Sequence, residues 1–245
     1  MLVMSERVSD HLPETEKYTP KQRLWYIRAK EVVISSGSIE RPLVFGNNDA
    51  PGVMLSSAAK EYLKVYGVLV GKKPIIFTNN DSGYETAIEF KKNGIDPVVL
   101  DTRISPDSEI INEAKNLNII IKNSYVVVAA KGYKKVKSAD IAKISDDKKK
   151  LSRIENIECD CICVSGFWTP SIHLASQSGN KTKFNEQIDS FIPNKSKQKE
   201  TTLGSANGIF TLEETLKTSF EKGNELSKKL TNNDNKISIP AVVEK

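Results

Sequence analysis

Short apolar runs alternate with segments of helical spacing through the middle of the chain. Residues 74–77 predict a strand, residues 82–92 predict a helix that ends near Gly94, and residues 97–100 predict the next strand. A strand, a helix and a second strand of these lengths form a βαβ unit with parallel strands. The pattern therefore predicts an α/β, Rossmann-like fold.

The segments on either side extend this pattern. Residues 24–34 are predicted to be extended and to end in a short apolar run, which Ser35 and Gly37 stop. The first twenty residues are polar and are predicted to be irregular. Further helices are predicted at 54–66, 107–116 and 211–230, further strands at 119–121, 125–129 and 157–164, and an antiparallel excursion from 131.

The charged residues do not alter the predicted fold, but they bear on the partners of the protein. The chain has 36 Lys+Arg and 31 Asp+Glu, and its lysine runs at 148–150 and 195–199 have no interleaved aromatic residues. Such runs are typical of solvated loops, so nucleic acid is not a predicted partner. The chain has no apolar run of about 20 residues and no leader-like apolar region. We therefore expect a cytoplasmic protein without a membrane partner.

The cysteines stand at alternate positions, Cys159, Cys161 and Cys163. Alternation predicts that all three share one face of a strand, and their odd number argues against a disulfide framework. A metal site would need further ligands, for which only His11 and His173 are available. Buried, reduced thiols are favoured over a metal site. His173 is interpreted as a packing or capping residue, and no catalytic residue is predicted.

The predicted βαβ unit carries a loop that departs from the dinucleotide-binding pattern G-x-G-x-x-G. Residues 78–83 contain only the last glycine, Gly83. Thr78 and Asn80 would crowd a pyrophosphate, and Asp81 would place a negative charge beside it. Asp81 or Ser82 could instead cap the helix. A structural loop is favoured over cofactor binding there, although Asp101 follows the second strand where a ribose-binding acid would stand.

Two other loops combine small residues with strand ends. Gly37 follows the apolar run 32–34, and the segment Gly204–Gly208 precedes the long predicted helix. Small residues between a strand and a helix can cradle a phosphate group. The two loops bracket the βαβ region, as expected for a fold in which a second dinucleotide-binding domain is inserted into the first.

Several longer motifs resemble the alpha subunit of heterotetrameric sarcosine oxidase and extend over about residues 2–230. Related large subunits of N-methylglutamate dehydrogenase and opine oxidases share part of the pattern. The motifs are Asp10–Pro13, Arg23–Lys30, Glu40–Asp49, Pro51–Leu55, Phe77–Ser82, Val164–Pro170, His173–Gly179 and Ala206–Leu212.

The resemblance implies a role in the oxidative demethylation of sarcosine to glycine. It implies NAD in the first nucleotide domain, FAD and FMN in a partner beta subunit, tetrahydrofolate in a domain absent from this chain, and gamma and delta subunits as further partners. It also implies the residues of a partial NAD site. These are Gly37, Gly204, Ala206, Gly208 and Thr211.

The resemblance predicts four regions. Residues 1–50 are the C-terminal part of the first FAD/NAD(P)-binding domain, 51–165 a complete but degenerate second domain, 166–232 the return segment and final helix of the first, and 233–245 a disordered tail. We expect a fragment or a split subunit that is inactive alone. The alternatives are a non-catalytic interaction or assembly module, a piece of a related amine or opine oxidoreductase, and a free-standing NAD(P)- or flavin-binding enzyme.

Overall fold

The computed structural model describes residues 1–147 and 149–231. The strands are β1 (Leu2–Arg7), β2 (Gln22–Ile27), β3 (Val32–Ile34), β4 (Ser38–Glu40), β5 (Val53–Leu55), β6 (Pro74–Thr78), β7 (Val98–Asp101), β8 (Ile120–Asn123), β9 (Tyr125–Lys131), β10 (Ser138–Lys143), β11 (Glu155–Glu158), β12 (Cys161–Ser165), β13 (Trp168–Pro170), β14 (Thr182–Asn185), β15 (Ser190–Pro193) and β16 (Glu200–Thr202). The helices are α1 (Ser56–Tyr66), α2 (Ser82–Lys92), α3 (Glu109–Asn116), α4 (His173–Gln177) and α5 (Leu212–Thr231), with a short 3-10 helix at Gly204–Asn207.

The chain forms two compact units. The central unit is Ile39–Thr169, and the split unit combines Met1–Ser38 with the chain from Pro170. The predicted tail at 233–245 lies outside the described residues. No helix within the described ranges is long and apolar enough to cross a membrane.

A five-stranded sheet forms the middle of the central unit, in the order β5-β12-β6-β7-β8. Every neighbouring pair is parallel. All five residues of β6 are buried, as expected for a parallel strand that is covered on both faces. The predicted βαβ unit and the α/β, Rossmann-like fold are confirmed.

Each face of this sheet carries its own apolar cluster. Because side chains alternate along a strand, Ile75 and Phe77 enter one cluster and Ile76 enters the other. The first cluster includes residues of the antiparallel sheet β11-β10-β9, and the second includes residues of α1, α2 and α3. The central unit therefore has three layers, with the parallel sheet between the helices and the antiparallel sheet.

Two predicted elements of the central unit differ from the observed ones. The helix predicted at 54–66 begins only at Ser56, because Met54 pairs with Cys163 in the parallel sheet. The strand predicted at 157–164 is broken at Asp160 into β11 and β12. The Asp160 carboxylate accepts hydrogen bonds from the backbone N–H groups of Lys72 and Lys73, each at 2.8 Å, which fixes a turn at this point.

This break changes the arrangement of the cysteines. Cys161 and Cys163 share one face of β12, with their Sγ atoms 3.6 Å apart, but Cys159 belongs to the opposite apolar cluster. The prediction that all three lie on one face was therefore wrong. All three are buried free thiols.

The split unit contains three two-stranded pairs. Strands β1 and β2 are antiparallel, β3 and β16 are parallel, and β14 and β15 are antiparallel. The prediction of irregular structure in the first residues was wrong for Leu2–Arg7, which pair with the extended segment Gln22–Ile27. Among the described residues of the split unit, few apolar side chains are buried: Ile34, Pro170, Ala175, Ile192, Pro193 and Ala206.

Candidate functional site

The loop between β6 and α2 is closed around its own side chains. The Thr78 hydroxyl donates to the Asn80 carbonyl oxygen at 2.8 Å and accepts from the Asn80 backbone N–H at 3.1 Å. A Cβ atom at Gly83 would lie 2.7 Å from the Thr78 Cβ, so only glycine permits this approach of α2 to β6. The last glycine of the dinucleotide pattern thus keeps its packing role, although the earlier glycines are replaced.

Asn80 occupies the middle of this loop and is buried. Its Oδ1 accepts from the Ser82 backbone N–H at 2.9 Å, which caps the first turn of α2. Its Nδ2 donates to the Ser165 carbonyl oxygen at 3.1 Å, and the Ser82 and Ser165 hydroxyls lie 3.0 Å apart. Asp81 occupies the N-cap position, as one of the two predictions had it, but its side chain forms no capping hydrogen bond and the Asn80 side chain supplies one instead.

Asp101 stands at the C-terminal end of β7 and is fully buried. Its Oδ2 accepts from the Tyr84 hydroxyl at 2.8 Å and from Arg103 Nη2 at 2.8 Å. Its Oδ1 accepts from the Arg103 backbone N–H at 2.9 Å. Arg103 Nη1 also lies 2.8 Å from Asp81 Oδ1. Both oxygens of the carboxylate are thus engaged within the protein.

The charges of this network reinforce each other. Burial by itself would lower the pKa of Arg103, but hydrogen bonds and the negative charge of Asp101 outweigh burial and raise it. Burial raises the pKa of the Tyr84 hydroxyl, and Asp101 raises it further. Arg103 remains a cation and Tyr84 a neutral donor, so Asp101 keeps two permanent partners. We did not predict Arg103 or Tyr84 as members of this group, although Arg103 lies only two positions after Asp101.

A dinucleotide does not fit this edge of the central sheet. Thr78 and Asn80 fill the positions where glycines allow the backbone to approach a pyrophosphate. Asp101 has no oxygen left for a ribose hydroxyl, and Arg103 already balances Asp81. The geometry agrees with the sequence-based preference for a structural loop at residues 78–83.

The split unit brings two of the predicted loops to one place. Strands β3 and β16 run parallel, with Ile34 opposite Thr202, and the Leu203 backbone N–H donates to the Ile34 carbonyl oxygen at 2.9 Å. The Gly37 turn and the Gly204 segment therefore both follow the C-terminal ends of these two strands. Gly37 has φ +77° and open space at its Cβ position, and its carbonyl oxygen accepts from the Ser171 N–H at 2.9 Å.

The remaining predicted site residues have structural roles of their own. Gly204 and Gly208 both have positive φ, and a Cβ atom at Gly208 would lie 3.0 Å from Ile192 Cγ2. Ala206 is fully buried, so it offers no side chain to a ligand. The Thr211 hydroxyl accepts from the Glu214 backbone N–H at 3.4 Å at the start of α5. These contacts explain the residue types without assigning a ligand.

One atom at this edge lacks a partner. The Thr202 hydroxyl oxygen is buried and forms no hydrogen bond within the part of the chain that the structure describes. Buried polar atoms are normally paired. The Thr202 hydroxyl is therefore an unpaired polar atom at the end of β16, next to the Gly204 segment.

Solved structures that superpose on this chain include reductases and a dehydrogenase. The thioredoxin reductase of T. acidophilum superposes with a TM-score of 0.60 at 17% identity and covers 76% of this chain and 61% of its own. The L-proline dehydrogenase of P. horikoshii superposes with a TM-score of 0.56 at 20% identity, over 85% of this chain and 35% of its own. The chain thus shares the Rossmann-like α/β fold of these enzymes.

Sequence comparison with curated proteins identifies more specific relatives than the solved structures do. The chain is 35% identical to the sarcosine oxidase alpha subunit of Rhizobium meliloti (strain 1021) over 203 residues, which are 82% of this chain and 19% of the relative. It is 31% identical to that of Corynebacterium sp. (strain P-1) over 83% of this chain and 21% of the relative. No family model matches. The chain is related to one segment of sarcosine oxidase alpha subunits and spans about a fifth of their length, which confirms the predicted resemblance.

Proposed function

We propose that this chain works as part of an alpha subunit in a sarcosine oxidase-type flavoenzyme complex that demethylates sarcosine or a related amine oxidatively. In this proposal the central unit is a scaffold, and the split unit supplies one side of an NAD site. FAD and FMN belong to a beta subunit, and tetrahydrofolate belongs to a domain outside these residues. Gamma and delta subunits complete the complex. The sequence relationship supports this assignment. The structural observation that supports it most is the exposed edge of β3.

Strand β3 has a free edge. The Val32 N–H donates to the Lys199 carbonyl oxygen at 3.0 Å, and the Ile34 carbonyl accepts from Leu203, so both groups point towards β16. In a parallel pair the intervening Val33 N–H and C=O then point the other way. Among the described residues no strand pairs with that side. A cleft of about 620 Å³ adjoins β3 and is lined by residues of β1, β3, α4 and the segment 198–200.

A strand from another polypeptide region fits this cleft. Parallel strands are normally buried on both faces, and two-stranded sheets are marginal on their own. Yet Val33 is 48% exposed. A further parallel strand beside β3 would pair the Val33 backbone groups and cover its side chain. Such a strand, followed by a glycine-rich turn, would also face the Gly37 and Gly204 loops.

NAD is the cofactor proposed for these loops. When bound, it would supply hydride-transfer chemistry. Gly37 would line its pocket, and the backbone around Gly204, Ala206 and Gly208, with the first turn of α5 at Thr211, would contact its phosphates. The free-standing enzyme that would use residues 78–83 is disfavoured, because their side chains satisfy each other.

Complementation tests this proposal. The full chain is co-expressed with the region of the Rhizobium meliloti alpha subunit that precedes the matched segment, and the complex is titrated with NADH by fluorescence. We expect saturable NADH binding by the complex but none by the chain alone. Gly204→Val should weaken binding on the order of tenfold, because a side chain at positive φ costs about 1–2 kcal/mol.

Asp81→Asn is the matched control, because it alters the degenerate loop of the central unit and should leave NADH binding unchanged. Size-exclusion chromatography verifies that each variant still forms the complex. Saturable binding by the chain alone that Asp81→Asn abolishes would contradict the proposal. A complex that forms and never binds NADH would favour the non-catalytic assembly module.

A further inference from the structure

Exposed lysines surround the N-terminal ends of β6, β10 and β12 in the central unit. We call this group, together with Tyr133, the lysine surface. Its lysines come from the segment before β6 and from the β9–β10 loop with its flanking ends: Lys72, Lys73, Lys131, Lys134, Lys135 and Lys137.

Backbone hydrogen bonds hold these segments side by side. The Cys159 N–H donates to the Lys137 carbonyl oxygen at 3.2 Å, and the Asp160 N–H donates to the Lys73 carbonyl oxygen at 3.3 Å. The Asp160 carboxylate in turn accepts from the backbone N–H of Lys72. Lysines that are more than sixty positions apart in sequence are therefore neighbours on one surface.

Tyr133 projects from this surface on an anchored loop. Its side chain is 96% exposed, whereas Val136 is buried in the apolar core. The Lys137 N–H donates to the Lys131 carbonyl oxygen at 2.8 Å and closes the loop at its base. Gly132 has φ +148°, and a Cβ atom there would collide with the Lys135 carbonyl. The loop is thus held in place while its aromatic ring is left in solvent.

Positive charge is in excess at this surface, because its six lysines outnumber the nearby carboxylates of Asp140, Glu158 and Asp160. Lys131 Nζ lies 3.1 Å from Asp140, and Lys73 Nζ lies 2.9 Å from Glu158. The ammonium groups of the other four lysines, Lys72, Lys134, Lys135 and Lys137, form no ion pair with any residue in the described ranges. Four unpaired cations around an exposed tyrosine give a surface with both charge and an apolar anchor.

We propose that the lysine surface binds an acidic polypeptide segment of a partner protein, with Tyr133 as its anchor. This surface lies wholly within the central unit, so the inference goes beyond the proposed cofactor role and does not depend on it. Tyrosine is enriched among residues that dominate binding energy at protein interfaces. Complementary charge would steer the partner to this face and fix its orientation.

A polypeptide fits this surface better than a nucleic acid does. Carboxylates of Asp140 and Glu158 stand among the lysines and would repel a continuous phosphate backbone. A protein segment can place a basic or polar group opposite each carboxylate and acidic groups opposite the free lysines. The surface also has only one aromatic ring, whereas single-stranded nucleic acids are typically held by several stacked rings.

Fluorescence anisotropy tests this proposal with the full chain. The probe is a labelled glutamate-rich peptide that contains leucine, compared with duplex DNA of equal charge. We expect the triple variant K72S/K134S/K135S to weaken peptide binding roughly tenfold, since each exposed pair contributes up to about 1 kcal/mol. Tyr133→Ala should weaken it about fivefold without any change of charge.

The matched control is K195S/K197S/K199S, which removes the same charge from exposed lysines of the split unit. We expect it to change peptide binding less than about twofold, because these lysines are not part of the lysine surface. Tighter binding of DNA than of peptide would overturn the proposal. So would an equal loss in the control variant, or unchanged binding in Tyr133→Ala.

Discussion

The two units of this chain differ in what they bury. The central unit has apolar clusters on both faces of its parallel sheet, including the fully buried rings of Tyr84 and Phe90. The split unit buries only small numbers of apolar side chains and leaves large ones such as Trp25 and Tyr26 in solvent. Both contain parallel strands, and the apolar strand β3 of the split unit resembles those of the central unit in composition. Local sequence therefore specifies strands in each, but only the central unit supplies enough neighbours to cover them.

The C-terminal ends of the parallel strands also differ between the two units. At the C-terminal edge of the central sheet, Asp101 has all its partners within the protein. At the corresponding edge of the split unit, the Thr202 hydroxyl is buried without a partner among the described residues. Unpaired buried atoms also occur in the central unit, among them Asn123 Oδ1 at the end of β8. The difference between the two sites therefore lies in the closed hydrogen-bond network of Asp101, which is typical of a structural element. The central unit has a loop, residues 78–83, at the position of a nucleotide-binding motif. That loop is nevertheless poorly suited to bind a nucleotide.

The largest effect should come from the core of the central unit. Phe90→Ala removes a fully buried ring between α2 and the sheet, and we expect the free energy of unfolding to fall by about 3–5 kcal/mol. Urea unfolding measures this. Val33→Ala in the split unit is the comparison and should change stability by less than about 1 kcal/mol. Equal losses in the two variants would contradict the difference in packing.

A smaller effect should come from the polar network. Arg103→Leu leaves the buried Asp101 carboxylate without its cation, so we expect a loss of about 2–4 kcal/mol, reduced because the Arg103 side chain is 32% exposed. Lys92→Leu is the matched control, since its pair with Glu113 is exposed and should contribute less than about 1 kcal/mol. If the two variants lost the same stability, the network would not hold the central unit together.

The smallest effect should appear as a pH dependence of the central unit. Burial raises the pKa of the Cys159 thiol to about 12 from its ordinary value of 9.0. The unfolded chain therefore releases this proton first, and stability falls as the pH rises from about 9 towards 12, by up to about 1.4 kcal/mol per pH unit. Cys163 and Tyr84 act in the same direction.

Urea unfolding of the parent chain and Cys159→Ala, at about pH 8 and about pH 10, measures this contribution. The difference in stability between the two pH values should be smaller in the variant. An unchanged difference would show that Cys159 does not remain a buried neutral thiol.

Much of the central unit could be predicted from local patterns. Apolar runs of strand length, the intervening helical spacing and the glycine that follows gave the βαβ unit, because these signals act over a few residues. The break at Asp160 could not be predicted, since its partners Lys72 and Lys73 are distant in sequence. The prediction that Cys159 shares a strand face with Cys161 and Cys163 was wrong for the same reason.

For the candidate sites, the sequence alone determined that residues 78–83 lack the glycines that a pyrophosphate requires. That Gly37 and the Gly204 segment line a site instead stays a prediction. Only the tertiary structure decided that Arg103 and Tyr84 donate hydrogen bonds to the Asp101 carboxylate. It also decided that the parallel pairing of β3 and β16 brings the two glycine loops to the same end of these strands. The physical reason is that the range of backbone conformations open to a residue depends on its own type, which the sequence gives directly. The hydrogen-bond partner of a polar group depends on the order of the strands, which brings together residues from distant parts of the chain.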